Sequence, residues 1–203
     1  MTDTWALVHA KRHALIDDLA TLDPVAWETD SAAEGWTVHD VAAHLVDNAK
    51  ATPLGLVMAM VRARFDFDRQ NADGIAAERG ATPSQTLERL RHVADRTSGP
   101  PVALASRLVE EIAHGEDIRR PLGIARAYPP EAVRAAIGYQ VKTPESFGGA
   151  KKLAGRVRLV ANDADLAVGR GPEVHGPAIE LLMVASGRRW REGSLSGPGV
   201  PLI

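Results

Sequence analysis

The residues with the clearest chemical potential are a carboxylate and an imidazole four positions apart, Glu110 and His114. In a helix, residues four apart leave the same face with Cβ atoms roughly 5–6 Å apart. Such a pair can bind a divalent metal ion if at least one further ligand comes from elsewhere. Asp117 continues the same stripe, one turn beyond the histidine. Without a third ligand the stripe would be an ordinary solvated helix face, and the spacing leaves that alternative open.

The best source of a third ligand is the segment 35–46, G-W-T-V-H-D-V-A-A-H-L-V. Thr37 has the position of an N-cap, and Asp40 that of its capping-box partner. Trp36 and Val41 are spaced as a hydrophobic staple. His44 then follows two turns into a well-started helix and faces the core. A core histidine held by one hydrogen bond is the alternative, but two inward histidines on separate helices, one with a glutamate in register, favour a metal site.

Four amphipathic helices must position these side chains. They are predicted at about 3–22, 37–51, 82–98 and 104–123, and short links between most of them indicate a four-helix bundle, in which metal sites form between facing helices. Residues 54–64 are expected to continue the second helix beyond a kink at Pro53. Residues 65–80 lose periodicity and are predicted to be a surface connection, a plain loop rather than a lid. His9 and His13, on the first helix, have no carboxylate in register and are expected to be solvated or interfacial.

The character of the sequence changes after Gly123. We predict a short helix from Pro129 to about Tyr139, a loop over 143–155, a β-hairpin from 156–161 and 166–168, and a short apolar helix over 178–186. The fold class is therefore mainly α, with a four-helix bundle over 1–123 and a short C-terminal α/β segment over 124–203, packed on the bundle. The glycine-rich stretch at 169–177 has no phosphate-binding spacing.

Composition excludes several function classes. The 203 residues carry 24 Lys+Arg and 26 Asp+Glu, which gives no basic surplus for nucleic acid or an anionic membrane. The chain has no cysteine, so it offers neither thiolate ligands nor a nucleophilic thiol of its own. No signal peptide and no membrane-spanning run are expected, which favours a cytoplasmic protein. Its partners would be small molecules, and a homodimer remains open.

Three motifs resemble one known family. G-W-T-V-H-D-V-A-A-H-L, then E-x-x-x-H-G-x-D-I with R-P-L-G, then D-A-D-L-A-V-G-R-G-P-E-V-H-G-P-A with a closing G-R and L-S-G-P-G-V, are similar to the maleylpyruvate isomerase family. These are mycothiol-dependent actinobacterial proteins of the DinB-like superfamily. The resemblance covers nearly the whole chain, and its motifs come in the family's order.

The resemblance implies a DinB-like four-helix bundle and a divalent metal, commonly zinc. The family's metal ligands match His44, Glu110 and His114. Asp117 matches an aspartate three residues beyond the motif's histidine, where it would hydrogen-bond a metal ligand. The C-terminal segment is expected to be short beside the full isomerase's C-terminal domain. In the G-R motif, Arg188 is the candidate contact for an anionic thiol or substrate, with a plain surface arginine as the alternative.

Three functions fit these residues. Two histidines and a glutamate leave one coordination position of the metal open, and a thiolate bound there would be stabilised by the cation. The resemblance implies that the thiol is mycothiol and that the protein is an isomerase or S-transferase. The same ligands with a bound water would suit a metal-dependent hydrolase. A non-catalytic metal-containing binding module is the third alternative.

Overall fold

The fold is mainly helical with a small C-terminal sheet, as the sequence predicts. In the computed structural model, which describes residues 3–203, the helices are α1 Thr4–Ala20, α2 Pro24–Trp27, α3 Val38–Lys50, α4 Pro53–Arg62, α5 Phe67–Glu78, α6 Pro83–Val93, α7 Ala105–Arg119, α8 Pro130–Gln140, α9 Lys151–Ala154 and α10 Ala178–Ala185. The strands are β1 Arg158–Ala161, β2 Ala167–Gly169 and β3 Glu173–Gly176, and 3-10 turns lie at Glu145–Phe147 and Val200–Leu202.

Three of the predicted helices begin at a residue whose side chain caps them, and two of these caps, Thr37 and Thr82, were predicted. Asp3 caps α1, and Thr37 with Asp40 forms the expected capping box at the start of α3. Thr82 caps α6 and Pro83 occupies its first turn. The helix α6 ends at Val93, earlier than expected, and α7 ends at Arg119. These caps fix the rotational register of α3, and therefore the direction in which its His44 points.

The predicted surface connection over 65–80 is wrong. Most of it is helix α5, which begins with Asp66 as its N-cap and buries Ile75. This helix also approaches α3 closely, since a Cβ added at Gly74 would lie 2.5 Å from Asp47 Oδ2. Residues 54–64 do not continue α3 through a kink either. Thr52 caps a separate helix, α4, with Pro53 in its first turn.

The Cα positions divide the chain into two compact units, residues up to 104 with 114–125, and residues 105–113 with 126–203. In the first unit, α3 packs against α5 and α6, and α1 packs against α6. Its core is built from apolar side chains of these helices together with Trp27 and Ile118, among them Leu15, Leu19, Val41, Leu45, Leu90 and Val93. The predicted division at residue 123 stays a prediction.

The second unit contains the predicted hairpin. β1 pairs antiparallel with β2, with Leu159 opposite Val168. A third strand that the sequence analysis did not predict, β3, pairs parallel with β1 and completes a sheet of order β2-β1-β3. Helix α10 packs on β1 and on α8. The predicted loop over 143–155 is wrong in part, because it contains a 3-10 turn and α9.

Among residues 3–203, no helix combines the length and the apolar character that a membrane crossing requires.

Candidate metal centre

The capping box of α3 directs His44 into the protein. The backbone N–H of Thr37 donates to Asp40 Oδ2 at 3.0 Å, and the backbone N–H of Asp40 donates to Thr37 Oγ1 at 3.2 Å. Arg79 also donates to Asp40. Burial would raise the pKa of the Asp40 carboxyl, but the hydrogen bonds from Thr37 and Arg79 outweigh it and the pKa is lowered. The ionised carboxylate therefore keeps the first turn in place, and His44, about one turn beyond Asp40, is buried.

Helix α7 carries the other candidate ligands one turn apart. Glu110 is half-buried and His114 is buried, on the same face of this helix. The Nδ1 atom of His114 lies 2.9 Å from Oδ2 of Asp117, whose side chain is fully buried. A carboxylate can only accept here, so Nδ1 carries the proton and donates it. In this tautomer Nε2 of His114 is unprotonated, which is the form that can bind a metal ion.

The structure brings His44, Glu110 and His114 together. One ligand atom from each lies within 4.8 Å of the others, and the two imidazole centroids are 4.7 Å apart. Bonds of about 2.0–2.2 Å to a tetrahedral zinc ion put ligand atoms roughly 3–4 Å apart, so small side-chain rotations would bring all three into contact with one ion. Two imidazoles and a carboxylate are also a donor set that zinc accepts. The residues present therefore fit a divalent metal ion, and their role as its ligands stays a prediction.

Trp36 forms an aromatic wall against both histidines. Its ring centroid is 5.0 Å from that of His44 and 6.0 Å from that of His114, and the planes of Trp36 and His114 differ by only 23°. The sequence assigned Trp36 to a hydrophobic staple, and it does pack on the core of the first unit. Its contact with the two imidazoles was not predicted, because it depends on how α7 approaches α3.

Asp47 is a further carboxyl near this site that the sequence analysis did not single out. It lies on α3 one turn beyond His44, and it is half-buried. Burial raises the pKa of Asp47, and the electrostatic effect of His44 opposes this shift. The side-chain amide of Gln70 on α5 lies 3.5 Å from its Oδ2. The three-residue spacing from His44 was the available signal, but nothing in the sequence showed that α5 covers this side chain.

The two remaining candidate residues, His13 and Arg188, lie outside the group of proposed metal ligands. Within the described residues, His44, Glu110 and His114 form the one group of three or more side chains suited to a metal ion. His13 is exposed and pairs with Asp95 at 2.8 Å. Arg188 follows α10, and its Nη1 donates to the carbonyl oxygen of Ser186 at 2.6 Å. A contact between Arg188 and an anion stays a prediction.

Comparison with known proteins finds the family that the sequence motifs resemble and structures of the same fold. Residues 8–100 match the family model described as the mycothiol maleylpyruvate isomerase N-terminal domain. Two solved structures share the fold, the mycothiol-dependent maleylpyruvate isomerase and a histidine-to-alanine mutant of it, with 17% and 16% identity and a TM-score of 0.67 in both cases. Each alignment covers 96% of this chain and 91% of the other, and the expected shortness of the C-terminal segment stays a prediction. No curated protein matches the chain.

Proposed function

We propose that this chain, whose residues 8–100 match the family model of the mycothiol maleylpyruvate isomerase N-terminal domain, is a member of that family. In this proposal it is an enzyme that uses a divalent metal ion and mycothiol either to isomerise a small molecule or to transfer the thiol to it. The observation that carries the proposal is the meeting of His44, Glu110 and His114 within 4.8 Å. Three protein ligands leave a coordination position open, which is typical of catalytic rather than structural metal sites.

A divalent ion at this site, which we propose to be zinc, would act as a Lewis acid that lowers the pKa of a thiol and holds it as the nucleophilic thiolate. The chain has no cysteine, so this thiol must come from solution. A cytoplasmic location is part of the proposal, because that compartment keeps low-molecular-weight thiols reduced.

The chain's own residues have separable tasks in this proposal. Asp117 holds the proton on Nδ1 of His114 and so keeps Nε2 available to the ion. Trp36 packs its ring against both imidazoles and restricts their rotation and their access to water. Glu110 supplies the negative charge that partly balances a divalent cation. Arg188 is the proposed contact for an anionic group of the thiol or the substrate.

The test compares metal content and thiol-dependent turnover in single-residue variants. His44→Ala and His114→Ala should each lose the metal found in the wild-type protein, together with mycothiol-dependent conversion of maleylpyruvate or of an electrophilic thiol acceptor. His13→Ala is the matched control, because His13 is an exposed histidine paired with Asp95 and should leave both properties unchanged. Unchanged metal content and activity in a folded His44→Ala protein would rule out the proposed site.

The same assay separates the two rival functions. A hydrolase would turn over an ester or amide without any added thiol, because a metal-bound water would be the nucleophile. A binding module would hold one equivalent of metal and show no turnover with any thiol acceptor. Our proposal requires activity that appears only when both the metal and mycothiol are present.

A further inference from the structure

Asp47 is a half-buried carboxylate to which the proposed function gives no task. Its Oδ2 atom lies 3.5 Å from the side-chain nitrogen of Gln70, at the outer limit of a hydrogen bond. Lys50, one turn further along α3, pairs instead with Glu78 at 2.8 Å. Among the residues that the structure describes, no lysine or arginine forms an ion pair with Asp47. A carboxylate withdrawn from water needs a polar partner, so these surroundings leave a partner to be identified.

Helix α5 leaves room for this carboxyl group. A Cβ added at Gly74 would lie 2.5 Å from Oδ2 of Asp47 and 2.7 Å from its Cγ, which is closer than such atoms can approach. Any other residue at position 74 would therefore push the carboxyl group aside or hold α5 away from α3. The two helices pack against each other in the first compact unit. Glycine thus lets α5 cover Asp47 without displacing it.

Each proposed histidine ligand is followed, three residues later, by an aspartate. Asp117 follows His114 on α7, and Asp47 follows His44 on α3. On a helix, residues three apart are neighbours and side chains lean towards the N-terminus, so an aspartate can reach back to a histidine three residues before it. On α7 this arrangement gives the 2.9 Å bond between His114 Nδ1 and Asp117 Oδ2. Helix α3 repeats the same pair of residue types at the same spacing.

His44 is the titratable group with the largest electrostatic effect on Asp47. This effect on the pKa of Asp47 is larger than that of Glu78 or of Lys50. Electrostatic effects weaken with distance, so this order agrees with the helical spacing in placing the two side chains near each other. The Nδ1 atom of His44 is also enclosed by protein atoms. An enclosed Nδ1 suits a hydrogen bond to a protein group and leaves Nε2 as the nitrogen for a metal ion.

We propose that Asp47 is a positioning residue that accepts a hydrogen bond from Nδ1 of His44, directly or through one water molecule, as Asp117 does from His114. The bond requires the carboxyl group of Asp47 to turn from Gln70 towards His44, which is a rotation of its own side chain. It holds the proton of His44 on Nδ1 and so keeps Nε2 available to a divalent ion. Each imidazole of the metal centre then has its own carboxylate. This inference rests on the proposed function, because it concerns a ligand of the proposed metal site.

Zinc affinity, measured by competition with a chromophoric chelator at fixed pH, gives the first test. Asp47→Asn keeps the size of the side chain and removes its charge, so it should lower zinc affinity by about 10–30-fold. Asp73→Asn is the matched control, because Asp73 is the exposed neighbour of Gly74 on α5 and its loss removes the same charge nearby. It should bind zinc within about twofold of the wild type. Equal losses in both variants, or no loss in a folded Asp47→Asn protein, would overturn the proposal.

NMR of the isotope-labelled histidine ring nitrogens in the metal-free protein separates this inference from the proposed function. The His44 signals are assigned by their loss in His44→Ala. In the wild type His44 should carry its proton on Nδ1, and in Asp47→Asn the tautomer with the proton on Nε2 should gain population. A wild-type His44 protonated on Nε2 would overturn the inference, whatever the zinc affinity. A protein that binds no zinc, yet holds the proton on Nδ1 only while Asp47 is present, would uphold the hydrogen bond and refute the proposed metal centre.

Discussion

Replacing Asp117 by asparagine isolates the hydrogen bond behind the proposed metal ligand His114. Asparagine has the same shape as aspartate, so the variant removes a negative charge and creates no cavity. The bond from His114 Nδ1 to Asp117 Oδ2 is 2.9 Å long, and Asp117 is fully buried, so solvent does not screen its charge. We expect Asp117→Asn to weaken metal binding while the fold persists.

The expected size of the effect follows from the nature of this bond. A hydrogen bond to a charged group contributes about 1.5–3 kcal/mol, and groups that hydrogen-bond a metal ligand typically change metal affinity by about 10–100-fold, or roughly 1.4–2.7 kcal/mol. The neutral amide still accepts a hydrogen bond, so the lower part of this range applies. An affinity loss of about 10–30-fold is therefore the expected result.

Competition with a chromophoric chelator, performed at fixed pH on wild type and variant, measures this change in zinc affinity. Asp95→Asn is the matched control, because Asp95 accepts a bond of similar length, 2.8 Å, from the exposed histidine His13. The control should bind zinc like the wild type, and circular dichroism should show both variants folded. A folded Asp117→Asn protein whose zinc affinity lies within about twofold of wild type would refute the role given to Asp117.

Further predictions concern Trp36, two helical glycines and His39. Trp36→Leu should lower zinc affinity by about 10-fold and Trp36→Phe by less, because only an aromatic ring can stack on the imidazole of His114; titration with zinc checks both. Gly74→Ala should reduce the free energy of unfolding in urea by up to about 2 kcal/mol, because the contact of its Cβ with Asp47 at 2.5 Å costs about 1–3 kcal/mol and the helical preference of alanine offsets about 0.5–1 kcal/mol of that cost. Gly138→Ala, in a helix where the added Cβ meets nothing within 4 Å, should instead gain about 0.5–1 kcal/mol. Burial lowers the pKa of His39, so at falling pH the unfolded chain takes up a proton more readily than the folded protein does. Stability measured by urea unfolding should therefore fall as the pH drops below about 6.5. A folded His39→Gln variant whose stability has the same slope against pH would contradict this prediction.

The sequence was sufficient to locate the candidate ligands because their positions depend on local rules. The capping box of Thr37 and Asp40 sets the start of α3, and this start decides that His44 points inward. The four-residue spacing decides that Glu110 and His114 share a face. Neither rule says that the two helices meet there, and that step came from the prediction of a four-helix bundle, in which metal sites form between facing helices.

The parts that sequence analysis missed depend on contacts between distant segments. Helix α5 has Ile75 as its buried residue and contains Gly74, so its apolar periodicity is too weak to predict a helix. Its stability comes from packing closely on α3, which the glycine permits. Strand β3 lies in a glycine-rich stretch, and its pairing with β1 is parallel and therefore cannot be inferred from a hairpin turn.

The most direct test of the metal centre is a crystal structure of the protein loaded with one equivalent of zinc, with diffraction data collected on both sides of the zinc absorption edge. The account predicts one anomalous peak, about 2.0–2.2 Å from a nitrogen of His44, a nitrogen of His114 and a carboxylate oxygen of Glu110. A peak at His13 and Asp95, or no peak among the three proposed ligands, would contradict it.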